Sequence, residues 1–179
     1  MSRKKIALIT GATSGIGRAT AHGFAKHGIK LIVCGRRQER LETIKKALSK
    51  HTEVHILNFD VRDKKAVFTA IESLPENFKN IDILINNAGN AHGLDPIHEG
   101  NTDDWDAMMD INVKGLLYVS KAIIPKMTER KSGHIINIGS SAGKEVYPKG
   151  NVYCASKHAV LAITDGMRID LNPYSLKVG

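Results

Sequence analysis

The chain has 179 residues, 42% apolar, 25% charged and 5% aromatic, which is enough for one substantial core and too little for two independent ones, so a single domain over 1–179 is expected. Twenty-six Lys and Arg outweigh 18 Asp and Glu to give a formal charge of +8, yet these cations are interspersed with acids along helical segments and no stacking aromatics lie between them. That distribution argues against nucleic acid as a partner, and no stretch approaches the length of a membrane span.

The chain opens basic, then apolar, and the apolar run Ile6-Ala7-Leu8-Ile9 breaks at Thr10-Gly11 before a signal segment could form. A strand is expected near 5–10. It runs into Thr10-Gly11-Ala12-Thr13-Ser14-Gly15-Ile16-Gly17, which opens a helix near 15–27. Gly11, Gly15 and Gly17 let the backbone turn tightly and approach a pyrophosphate, and the free N–H groups of the helix start favour its charge. Thr13, Ser14 and Ile16 belong to the same turn. Such a turn also occurs without a ligand; its place after the first strand of a βαβ unit is what favours a dinucleotide.

A second strand near 30–34 ends in Cys34-Gly35-Arg36-Arg37. Sites selecting NAD place an acidic residue here for the ribose 2′-hydroxyl. With no carboxylate and two guanidiniums able to clamp a 2′-phosphate, NADP is the expected cofactor, although two solvent-facing arginines at a helix start would read the same. The helix near 37–50 carries Leu41, Ile44 and Leu48 at spacings that give one apolar stripe.

A third strand near 54–58 is followed by Asp60 and Val61, a helix near 63–72, and a fourth strand near 81–85 followed by Asn86-Asn87-Ala88-Gly89. Ligands in doubly wound sheets lie beyond the carboxyl ends of strands, so Asp60 and Val61, with Asn87, Ala88 and Gly89, suit an adenine edge and a cofactor backbone. Either segment alone also reads as an ordinary Asx turn. One long helix is expected over 102–130, then a fifth strand near 133–138 ending at Ser140 and Ser141, then a helix near 151–171.

That last helix carries Tyr153-Cys154-Ala155-Ser156-Lys157. Tyr and Lys four apart share a helix face, so the ammonium can stabilise the ionised phenol and make it an acid/base group well below its free pKa of about 10. A lone Tyr-x-x-x-Lys pair is common in proteins. Cys34 and Cys154 read as buried thiols of a reducing compartment, which makes the cytoplasm the expected location. The eight histidines show no metal-ligand spacing, and no metal is expected. Strands alternating with helices place the chain in the α/β class, as a doubly wound parallel sheet of Rossmann type with helices on both faces.

Taken together, TGATSGIG, NNAG, the serine thirteen residues before YCASK, and Asn112 within Asp110-Ile111-Asn112-Val113 resemble the short-chain dehydrogenase/reductase superfamily from Lys5 to about Leu171. The stretches Gly35–Leu41, Ile81–Leu84 and His134–Ser140 are similar to NADP-dependent 3-hydroxy acid (serine) dehydrogenases. The resemblance implies hydride transfer between NADP(H) and a small alcohol or carbonyl compound, with a 3-hydroxy acid as the leading substrate class. It implies that Tyr153 is the general acid/base, that Lys157 lowers its pKa and holds ribose hydroxyls, and that Ser140, ahead of Ser141, orients the substrate oxygen. Asn112 would position Lys157 and a relay water.

The family's pattern implies a homodimer or homotetramer through the helices near 102–130 and 151–171, where Val160, Ile163 and Met167 form an apolar stripe. Family members continue past residue 179, so the C-terminal strands and part of the substrate pocket are expected to be missing. An open edge beside the fifth strand and poor turnover are then expected. The competing reading is an NADP-binding protein or fragment without turnover.

Overall fold

Six parallel strands, β1 (Ile6–Ile9), β2 (Lys30–Gly35), β3 (Val54–Asn58), β4 (Ile83–Asn86), β5 (His134–Asn137) and β6 (Lys177–Val178), stand side by side in the order β3-β2-β1-β4-β5-β6. The computed structural model describes residues 3–179. Helices α1 (Gly15–Lys26), α2 (Gln38–Leu48), α3 (Lys64–Glu72), α4 (Thr102–Met109), α5 (Leu116–Arg130) and α6 (Asn151–Leu171) connect the strands.

Side chains alternate along a strand. Thus β1 sends Ile6 and Leu8 to one face and Ala7 and Ile9 to the other, and β2 divides Ile32 and Cys34 from Leu31 and Val33. Val67 and Ile71 of α3, Val119, Ile123 and Met127 of α5, and Leu171 of α6 cover the first face. Ala21 and Ala25 of α1 and Leu41, Ile44 and Leu48 of α2 cover the second. Because both faces are covered, the strands are apolar at consecutive positions, and each fully buried Leu or Ile contributes about 1.5–3 kcal/mol relative to exposure.

From β1 the chain winds outward through β2 to β3, then returns and winds the other way from β4 through β5 to β6. The reversal falls between β1 and β4, and ligands of open α/β sheets bind beyond the carboxyl ends of the strands at such a point. Beside it, Asn86 and Asn137 lie opposite each other in register at the ends of β4 and β5. Asn86 Nδ2 donates to Ser120 Oγ and Asn137 Oδ1, both at 2.9 Å, and Asn137 Nδ2 donates to Thr164 Oγ1 at 2.9 Å.

Four expectations are corrected. The span 102–130 is two helices separated by a π-helical stretch, Asp110–Gly115; the widened turns carry Asn112, whose amide bonds away from its own helix. The fourth strand begins at Ile83; Asp82 just before it accepts from Ile6 N at 2.8 Å through its carboxylate and pairs with Arg3. The edge of β5 is covered: Lys177 pairs with His134 and Val178 with Ile135. In α6, Val160 is buried and Met167 packs on the molecule's own core, leaving Leu161 and Ile169 as the exposed large apolar residues of that helix.

Candidate active site

The turn between β1 and α1 is held by its neighbours across the switch point. Gly11 has φ +62°, a conformation open to glycine. A Cβ added to Gly17 would stand 2.4 Å from Asn87 Nδ2 and 2.6 Å from Gly11 O, so only hydrogen fits there. Asn87 Nδ2 donates to the carbonyls of Thr10 at 2.9 Å and Gly11 at 3.2 Å, while Thr10 Oγ1 accepts from the N–H groups of Asn87 and Ala88 at 3.0 and 2.9 Å. Ser14 gives α1 no side-chain cap, which leaves first-turn N–H groups available to an anion.

A cleft of about 150 Å³ opens on one side of this turn, lined by Gly11, Thr13, Ser14, Arg36, Arg37, Asp60, Val61, Ala88 and Gly89, with Phe59, Asn90 and Ile111. Cys34 backs it, fully buried, and burial pushes its thiol up. Arg36 and Arg37 are exposed. Asp60 is gripped by Arg62, with Arg36 Nη1 further off at 3.5 Å. A second hollow of about 440 Å³ shares Gly11, Ser14, Ala88, Gly89 and Asn90 and continues over Gly15, Ile16, Asn87, Gly139, Tyr153 and Lys157. Ile16 leaves 60% of its surface exposed there, an apolar floor that a bound ring would cover.

The two hollows form one trough, with guanidiniums at one end, an anion-receptive helix start in the middle and a Tyr/Lys pair at the other. These residues fit a phosphorylated dinucleotide. The absence of a carboxylate on β2 and the cradle at Gly17 are the observations that decide the fit.

At the far end, Lys157 is buried and its Nζ donates to Ile138 O at 2.9 Å. Nζ lies 6.0 Å from the centre of the Tyr153 ring, and burial holds its pKa below the usual lysine value. Ser140 follows Ile138 and Gly139 and begins a short 3-10 turn, Ser141–Gly143, where Ser140 Oγ accepts from Ala142 N at 3.2 Å. Its hydroxyl proton is left free to be donated elsewhere. The turn rests on α6: a Cβ at Gly143 would lie 2.8 Å from the Lys157 carbonyl carbon's oxygen. Ser141 is exposed.

Of the residues singled out by sequence, Gly17, Asn112, Ser140 and Ser141 do not line the trough. Gly17 packs beneath it. The Asn112 amide does not reach Lys157; it donates to Asn90 O at 2.9 Å and Ser156 Oγ at 3.0 Å and accepts from Asn90 N at 2.9 Å. It is close to Lys157 all the same, since a Cβ at Gly89 would lie 3.2 Å from Asn112 Oδ1 and 3.8 Å from Lys157 Nζ. Sequence reasoning missed Thr10, Asn90 and Ser156. Thr10 stood inside the glycine-rich motif as a readable signal; Asn90 and Ser156 gave none, because their roles are to receive Asn112. Both polar side-chain atoms of Asn90 are buried without a partner. Among the described residues no group of three or more His, Cys, Asp or Glu is arranged to hold a metal, and no helix is long and apolar enough to cross a membrane.

A family model described as short chain dehydrogenase matches residues 5–179. The NADP-dependent 3-hydroxy acid dehydrogenase YdfG of Escherichia coli (strain K12) is 45% identical over 173 residues, which cover 97% of this chain and 69% of that protein. Sulfoacetaldehyde reductase 2 of Chromohalobacter salexigens is 45% identical over 174 residues, with coverages of 97% and 69%. A solved structure described as the closed form of serine dehydrogenase complexed with NADP+ superposes with a TM-score of 0.92 at 45% identity, covering 97% of this chain and 69% of that one.

Proposed function

The chain belongs to the short-chain dehydrogenase family, and on that premise we propose that Tyr153, Lys157, Ser140 and Asn112 are its catalytic group and short 3-hydroxy acids, with their 3-oxo partners, its substrates. It is an NADP-dependent oxidoreductase, in which the bound cofactor supplies or accepts the hydride while a small alcohol or carbonyl compound is its counterpart. The finer substrate class rests on the 3-hydroxy acid dehydrogenase at 45% identity.

Tyr153 gives a proton to the substrate oxygen in reduction and takes it back in oxidation. Lys157, tethered by Ile138 O, holds its ammonium beside the phenol. Ser140 donates to the substrate oxygen and fixes its direction. Asn112 acts at one remove, holding Asn90, which lines the trough, and Ser156, which is buried in α6 one residue before Lys157. Gly11, Thr13, Ser14, Gly15, Ile16 and Gly17 hold the pyrophosphate segment, Arg36 and Arg37 the 2′-phosphate, Asp60 and Val61 the adenine edge, and Asn87, Ala88 and Gly89 the cofactor's middle, with Tyr153 and Lys157 at the ribose of the reacting end.

A cytoplasmic location agrees with two free buried thiols, Cys34 and Cys154. A homodimer or homotetramer is supported by exposed Leu117 on α5 and Leu161 and Ile169 on α6.

The observation that carries the reading is the Lys157–Ile138 tether, which sets an ammonium beside Tyr153 in the trough that also holds the glycine turn and Arg36. Mixing the protein with NADPH and a panel of short 3-oxo acids, simple aldehydes and sulfoacetaldehyde tests it. Fastest loss of nicotinamide absorbance with a 3-oxo acid is expected. NADPH binding without oxidation of any panel member would overturn the catalytic reading.

A further inference from the structure

Asp60 sits in the cleft that receives the 2′-phosphate end of the cofactor, three-quarters buried, and its carboxylate is the acidic group among the residues lining that cleft. Left to itself it would work against a phosphate in two ways, repelling the anion and drawing Arg36 to its own side. The geometry shows what prevents this. Arg62 lies just outside the cleft lining and takes Asp60 in a fork: Nε stands 3.1 Å from Oδ1 and 3.0 Å from Oδ2, Nη2 stands 2.7 Å from Oδ2, and the Arg62 backbone N–H adds a bond to Oδ1 at 2.9 Å. Arg36 reaches the same carboxylate by one long ionic contact of 3.5 Å, with 59% of its side chain exposed.

Fork-shaped guanidinium–carboxylate pairs are stronger than single ionic contacts and fix direction as well as charge. Burial alone would raise the Asp60 carboxyl; the hydrogen bonds and charge of Arg62, with Arg36 adding a little, hold it below the usual carboxylate range. Arg62 is therefore the main partner of Asp60, and Arg36 is a minor one.

We propose that Arg62 is a positioning residue for cofactor selectivity: by occupying the Asp60 carboxylate it cancels a negative charge beside the 2′-phosphate site and leaves Arg36 free to bind the phosphate. The proposal rests on the NADP assignment of the preceding section.

The test is equilibrium binding, by fluorescence or calorimetry, of NADPH, NADH and adenosine 2′,5′-bisphosphate to the full chain, to Arg62→Gln, to Asp60→Asn and to the double variant. Arg62→Gln is expected to weaken NADPH and adenosine 2′,5′-bisphosphate by roughly three- to fivefold, the size of one partly exposed ion pair, with NADH unchanged. In the Asp60→Asn background the same change is expected to have no further effect, since the carboxylate it answers is gone. Equal losses for NADPH and NADH, or no loss for either, overturn the proposal, as does an undiminished effect in the double variant. Should Arg62→Gln fail to fold, Arg62→Lys gives the same comparison with a smaller loss. If the unaltered chain does not prefer NADPH to NADH, it is the NADP assignment that fails, and the two failures are told apart by that first measurement.

Discussion

The ammonium of Lys157 donates to the carbonyl of Ile138 at 2.9 Å. The bond ties α6 to the carboxyl end of β5 across the connection that carries Ser140, and it fixes the charge beside Tyr153. Replacing Tyr153 by Phe keeps the ring and this tether but removes the proton donor. Turnover is expected to fall by about 100-fold or more while NADPH binding survives and the unfolding midpoint stays unchanged. A variant with most of its activity would remove Tyr153 from the mechanism.

Burial holds the Lys157 pKa below its ordinary value, so the folded chain releases this proton at lower pH than the unfolded chain does. Between the two values the unfolded state binds more protons, and stability rises with pH toward the ordinary lysine range. Lys157→Met is expected to abolish that rise and to abolish turnover. Urea unfolding at pH 7, 9 and 10 checks the first, and an unchanged slope in the variant would mean that Lys157 is not the group responsible.

For Arg36→Ala the expectation is a loss of NADPH affinity of about tenfold or more with little change for NADH, because one charge-assisted contact to the 2′-phosphate is removed. Matching losses for the two cofactors would assign Arg36 another role.

Asn112→Leu removes three hydrogen bonds inside the fold, leaving the Asn90 backbone N–H and carbonyl without these partners and the Ser156 hydroxyl with only the bond it donates to Tyr153 O. Unmet buried groups cost about 1–3 kcal/mol each, so the unfolding midpoint should drop clearly and turnover should fall with it. Asn112→Asp, which keeps the acceptor for Asn90 N, is expected to recover part of the stability. Full stability in Asn112→Leu would contradict the bonding described.

Gly17→Ala is expected to abolish cofactor binding while leaving secondary structure largely in place. The added methyl meets Asn87 Nδ2 and Gly11 O at distances no Cβ tolerates, so the turn must part from β4. Circular dichroism with NADPH titration would show both, and unchanged affinity would count against the cradle.

Much of the fold was legible because buried parallel strands are apolar at every position and their helices show a 3.6 period; Leu31 to Val33 and Leu41, Ile44 and Leu48 carry both signals. The glycine turn was legible because it needs a special residue type: Gly11 has a positive φ, and no Cβ fits at Gly17. Sequence could not show the π-helical stretch Asp110–Gly115, whose Asn112 bonds Asn90 and Ser156 across the fold, partners that no sequence spacing announces. Nor could it show that Lys177–Val178 completes an edge, because two residues hold no period. Nothing in the sequence sets Arg62 apart from the other cations; its fork on Asp60 belongs to the fold.

The amide ladder from Asn86 to Asn137 to Thr164 has a consequence for how the chain finds this arrangement. Apolar side chains tolerate a neighbour of any identity, so Leu84, Ile85, Ile135 and Ile136 would pack almost as well with β5 displaced along β4. A slip of one residue would turn each side chain to the opposite face and bury the Asn86 and Asn137 amides without partners. Polar groups here act as a proofreading device, rejecting misaligned pairings that oily contacts alone would accept. Correct alignment also brings the ends of these two strands level, and Tyr153 and the glycine turn depend on that level to face the same trough.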